Sequence, residues 1–142
     1  MARHLEQALT WYRSAAGQGS AQAQDRLGDG YRDGSLGLPK DAAEAAKWYR
    51  KAADQGFAAA QYELARCYFA GAGVPQDYVR AHMWANVAVT GLAAIMSVAP
   101  PFIQDLEKQA AGLRDKLTTM MTSQQLADAQ RLAREWKVIK VK

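Results

Sequence analysis

A block of aromatic, alanine and glycine residues recurs at a nearly fixed spacing, and this constrains the fold more than any other feature of the chain. Trp11-Tyr12-Arg13-Ser14-Ala15-Ala16-Gly17-Gln18-Gly19 returns as Trp48-Tyr49-Arg50-Lys51-Ala52-Ala53-Asp54-Gln55-Gly56, an offset of 37 residues. Ala21, Ala23, Gln24, Leu27, Tyr31 and Gly34 return at the same offset as Ala58, Ala60, Gln61, Leu64, Tyr68 and Gly71. Pro39-Lys40-Asp41 matches Pro75-Gln76-Asp77 at an offset of 36, so the first connector holds one extra residue. Trp84 follows Trp48 by 36, and Ala8, Ala45 and Ala81 each precede a repeat tryptophan by three. A period in this range marks a supersecondary unit that buries its apolar face only by stacking on its copies.

Each unit reads as two helices. The first spans Ala21 to about Arg32, then Ala58 to about Ala70, with Ala, Leu and Tyr at helical spacing on one face. Gly34 and Gly71 end it, since glycine adopts the left-handed backbone of a helix stop. The second helix starts at Asp41 or Asp77, whose carboxylates cap free N–H groups. Asp41 and Glu44 also have capping-box spacing. Gly19 and Gly56 close it, and Ala15, Ala16, Ala52 and Ala53 let neighbouring helices approach closely. Tyr31, Tyr68, Trp48 and Trp84 are the expected core aromatics.

These residues resemble the Sel-one-like repeat family, a relative of the tetratricopeptide repeats. Its pattern runs A-x-A-Q-x-x-L-G-x-x-Y-x-x-G, a G-V-x-x-D turn, then A-x-x-W-Y-x-K-A-A-x-Q-G. Ala21–Gly34 and Ala58–Gly71 carry the first half, Gly73-Val74-Pro75-Gln76-Asp77 the turn, and Ala45–Gly56 the second half. The chain departs from the pattern at Ala65, where the family has glycine, at Gly37-Leu38-Pro39, and after Trp84, where the tyrosine and the A-A-x-Q-G ending are lost. The resemblance implies an all-α fold, a right-handed α-solenoid of helix-turn-helix repeats. The expected organisation is a half-unit at 1–19, repeats at 20–56 and 57–91 (the latter degenerate at its end), and a C-terminal capping helix pair at 101–142.

In that tail, Leu106, Ala110, Leu113 and Leu117 share a register from about Pro101 to Leu117. A second helix opens at Thr122 or Ser123, with Gln125 at capping-box spacing and a stripe of Leu126, Ala129, Leu132, Ala133 and Trp136. Ala129–Trp136 resembles the closing helix of bacterial members of the family. At the other end, the helix from about Arg3 to Ala16 lacks its repeat partner. That is the mark either of a fragment of a longer array or of a face open to self-association.

The sequence offers little chemistry. Neither H-E-x-x-H, G-x-S-x-G nor a phosphate loop occurs, and His4 and His82 read as structural or exposed. Asp25, Asp29 and Asp33, four apart, read as a solvated acidic stripe beside Arg26 and Arg32 rather than a metal site. Cys67, the one cysteine, excludes an internal disulfide and reads as a small apolar residue. No catalytic residue, metal site or cofactor is expected. Some members of the resembled family have been labelled β-lactam hydrolases, but no nucleophile stands here beside a base. The net charge of +4 is too mild for a nucleic-acid partner. Residues 81–104 lack Asp, Glu, Lys and Arg, yet Asn86, Gly91 and Pro100-Pro101 argue against a membrane span. No signal peptide is visible. The chain reads as cytoplasmic as written, and as periplasmic or exported if it is a fragment.

What remains is a binding surface. In related helical repeats the first helix of each pair lines a concave side. The resemblance therefore implies a protein or peptide partner on Gln22, Asp25, Asp29 and Arg32 in one unit, and on Ala59, Tyr62, Arg66 and Phe69 in the next. Tyr62 and Phe69 with Arg66 have the composition of an interface hot spot, unless they pack under a neighbouring helix. The alternative is a structural or self-association segment of a longer repeat protein.

Overall fold

A computed structural model describes residues 2–138; the basic residues Lys140 and Lys142 lie outside them. Seven helices and no strand occur among the described residues: α1 (Ala2–Gly17), α2 (Ala21–Asp33), α3 (Ala42–Asp54), α4 (Ala58–Ala70), α5 (Tyr78–Ala93), α6 (Pro101–Met120) and α7 (Ser123–Glu135). Each helix packs on its chain neighbour from α1 to α6, and α7 returns to α5.

The predicted stops and starts are where the backbone turns. Gly34 and Gly71 both sit at φ +70°. Each donates its N–H back into the helix it ends, to Gly30 and Cys67 respectively. Asp41 and Asp77 sit in matching extended conformations, and their carboxylates accept the N–H of Glu44 and Arg80. The Thr122–Gln125 capping box is complete. Gly73 is the tightest position: at φ +77° a Cβ there would collide with the carbonyl oxygen of Ala42. Only glycine lets the connector before α5 press against the start of α3.

Two repeat devices hold the array together. The paired glutamines Gln24 and Gln61 are buried, and each donates its side-chain N–H to the carbonyl of Ala16 or Ala53. These carbonyls lie at the C-terminal ends of α1 and α3, where intrahelical partners run out. The second device is a notch. Gly28 of α2 faces Tyr49 of α3 so closely that a Cβ would lie 2.6 Å from the ring. Tyr49 is fully buried. One unit later the glycine is Ala65 and the tyrosine position is Ala85, both fully buried. The two departures from the repeat pattern compensate each other: the ring that needed the notch is gone where the notch is filled.

The core runs as one cluster from Ala45 and Tyr49 through Leu64 to Trp84 and Val87, with a smaller one around Ala23, Leu27 and Leu38. The tryptophans occupy equivalent helix positions but differ in cover. Trp84 is 2% exposed, Trp48 is half-buried, and Trp11 is 63% exposed. Tyr31 and Tyr68 are half-buried against the clusters rather than inside them. Trp136 meets Trp84 edge-on at 5.9 Å, which places the end of the described chain against α5. The uncharged stretch is split: α5 ends at Ala93 and turns separate it from α6. No helix among the described residues is long and apolar enough to cross a membrane.

Candidate functional site

A groove of about 370 Å³ opens beside α2 and α4. Its α4 wall carries Tyr62, Glu63, Arg66, Cys67, Phe69 and Ala70. Arg32 of α2 closes one side, and Tyr49, Ala45 and Ala42 of α3 form the floor. Leu113 of α6 reaches in from the tail. Four of the residues expected from the repeat register therefore meet here: Arg32, Tyr62, Arg66 and Phe69. Gln22 is exposed elsewhere on α2, and Asp25 and Asp29 do not line the groove.

A polar network stiffens the floor. The Tyr49 hydroxyl donates to Asp29 Oδ1 at 2.6 Å. Arg32 Nη1 bonds Glu63 Oε2 at 2.7 Å and lies 3.5 Å from Asp29, while its Nε binds Asp33 at 2.9 Å. Arg66 reaches both Glu63 oxygens at 3.3 Å. Arg32 and Glu63 come from successive repeats, so this ion pair crosses the seam. Burial and the bond to Asp29 push the Tyr49 phenol well above its usual range, which keeps it a donor.

The two aromatics are neither free nor fully packed. Tyr62 is half-buried with the Arg66 guanidinium 5.8 Å from its ring centre. Phe69 stacks on Tyr78 at 5.8 Å, and Lys116 Nζ sits 5.1 Å from its ring centre. Both rings line the groove, and each has a cation beside it.

The acidic stripe does not have the uniform solvation expected of it. Asp33 is exposed and tied to Arg32, which lowers its pKa. Asp29 is engaged by Tyr49. Asp25 is partly buried, and its Oδ1 has neither solvent exposure nor a hydrogen-bond partner. Burial first, and the nearby charges of Asp29 and Glu63 second, push its carboxyl up to about 7.

Burial and Glu63 push the Cys67 thiol up to about 11, so it stays protonated although Arg66 and Arg32 are near. His82 is buried in α5, with Nε2 3.1 Å from Thr118 Oγ1, and burial lowers its pKa. Among the described residues no cluster of His, Cys, Asp and Glu is arranged to hold a metal ion. The sequence reading missed Glu63 and Leu113. Glu63 occupies the repeat position of Arg26, and only its three-residue spacing from Arg66 hinted at a partner. Leu113 belongs to the non-repeating tail, whose path no repeat register supplies.

Comparisons with known proteins agree on the family. The Sel1 repeat model matches residues 5–20, 21–57 and 58–89. The crystal structure of c5321, described as a protective antigen present in uropathogenic Escherichia coli strains and displaying an SLR fold, superposes with a TM-score of 0.78 at 34% identity. That match covers 92% of this chain and 25% of the other. A Sel1 repeat protein from Oxalobacter formigenes superposes with a TM-score of 0.57 at 28% identity, over 82% of this chain and 52% of the other. No curated protein matched. The chain thus spans about a quarter and about half of the lengths of these two solved relatives, and it belongs to the Sel1 repeat family.

Proposed function

We propose that the chain is a non-enzymatic protein-interaction module that binds a peptide or protein segment in the groove beside α2 and α4. Sel1 repeats are generally protein–protein interaction modules. The observation that carries the finer reading is the meeting of Arg32, Tyr62, Arg66 and Phe69 in one open groove with an apolar floor. Aromatic and arginine side chains that a partner buries are the usual energetic centre of a protein interface. The network among Tyr49, Asp29, Arg32 and Glu63 holds the rim in place before a partner arrives, which reduces the entropy cost of binding.

The test is peptide-display selection against the purified protein, followed by affinity measurement on Tyr62→Ala with Phe69→Ala. Both residues are half-buried, so some stability is lost, and a helical spectrum with a cooperative melt confirms that the variant folds. Affinity for groove-selected peptides should fall about tenfold or more. Unchanged affinity would move the binding site elsewhere.

Exposure of Trp11 and of Leu5 (46% exposed) on α1 supports a second reading, self-association through the N-terminal helix. Sedimentation of Trp11→Ala beside the unaltered chain decides it. A monomer before and after the change removes it.

A further inference from the structure

The groove has a charge pattern that selects among peptides, and this inference rests on the reading of the groove as a binding site. Its acids are already engaged. Glu63 is bridged by Arg32 from one repeat and Arg66 from the next, and Asp29 takes the Tyr49 hydroxyl. The exposed charges on its α4 wall and next to Phe69 are cations. The Arg66 side chain is 54% exposed and holds Glu63 only at 3.3 Å. Lys116 is exposed, with its ammonium placed over the Phe69 ring. No acidic side chain lies within ion-pair distance of Lys116 among the described residues. Arg66 lines the groove beside Tyr62, Lys116 stands outside the lining next to Phe69, and Ala45, Ala70 and Leu113 supply apolar lining.

A cation held beside an aromatic face still has N–H donors pointing to solvent, and a carboxylate is the acceptor that suits them best. A basic side chain entering the groove would meet the Arg66 guanidinium, and the one carboxylate in the lining, Glu63, is already taken by Arg32 and Arg66. We propose that the groove receives a peptide segment carrying carboxylates on either side of an apolar side chain. The apolar side chain sits over Ala45 and Leu113, and the carboxylates reach Arg66 and Lys116.

The probe is an array of synthetic peptides with one central leucine or phenylalanine, flanked by Asp/Glu, by Ser, or by Lys/Arg. Acidic spots should bind best, and binding should weaken as salt rises from about 0.1 M to about 1 M, which shortens the screening length from about 10 Å to about 3 Å. Arg66→Glu with Lys116→Glu should cut binding to acidic spots about tenfold or more and transfer preference to the Lys/Arg spots. The variant touches exposed side chains, and a melting curve confirms that it folds. Equal binding of acidic and basic spots, or an acidic preference that survives the charge reversal, overturns the inference. Tyr62→Ala with Phe69→Ala separates the two levels. Groove-dependent binding without charge preference overturns the acidic-partner inference alone. Acidic binding indifferent to the aromatic variant, or an array with no bound spot, overturns the inference and counts against the groove reading with it.

Discussion

Asp25→Asn should stabilise the protein, and more so at alkaline pH. The folded carboxyl is raised from 3.8 to about 7, chiefly by burial. Such a group holds its proton in the folded state where the unfolded chain has released it. Between the two values the folded state therefore binds more protons, and stability falls as pH rises. Above about pH 7 both states are ionised and the loss is complete. The full shift corresponds to about 4 kcal/mol, at about 1.4 kcal/mol for each pKa unit. Solvent reaches part of the side chain and screens the charge, which reduces the effect to roughly 2 kcal/mol. Asparagine is uncharged at every pH, so at about pH 8 the variant should melt several degrees higher than the parent, at roughly 3 °C for each kcal/mol. At about pH 5 the difference should be much smaller. Thermal melts of the two proteins across this range are the assay. Parallel pH profiles, or a destabilised variant at alkaline pH, would show that Asp25 is not an unpartnered carboxyl on this face.

Three further outcomes follow from the packing. Gly73→Ala places a Cβ against the Ala42 carbonyl and strains a left-handed backbone, so it should cost about 3 kcal/mol or more, read by urea denaturation. Gly28→Ala should cost about 1–3 kcal/mol, and Gly28→Ala combined with Tyr49→Ala should cost less than the two changes summed, because the second unit already holds the Ala65–Ala85 pair. Thr122→Ala removes the capping box of α7 and should lower stability by about 1 kcal/mol, visible as a shifted denaturation midpoint with an unchanged slope.

The repeat made the helices legible because its punctuation is local chemistry. A glycine that must turn left-handed and an aspartate that must cap act within a few residues of themselves, so Gly34, Gly71, Asp41 and Asp77 marked the boundaries without any knowledge of packing. The repeat also put Arg32, Tyr62, Arg66 and Phe69 on corresponding helices, which was enough to bring them to one groove. It gave no access to contacts between unlike positions. The Gly28–Tyr49 notch accounts for Ala65 standing in the unit where Tyr has become Ala85, and that pairing joins two different helices. The burial of Asp25 depends on how the neighbouring helices pack on α2, and Leu113 arrives from a tail with no copy elsewhere in the chain. Trp11 shows the same limit from the other side. Its position is equivalent to Trp84, but its burial depends on whether another helix lies over it.

Amide chemical-shift mapping during titration with a groove-selected peptide tests most directly whether this array works as a binding surface. Shifts concentrated on Arg32, Tyr62, Arg66, Phe69 and Leu113, with α1 and α7 unmoved, are the expected result. Shifts gathered on α1 around Trp11, or spread evenly over all seven helices, would contradict it.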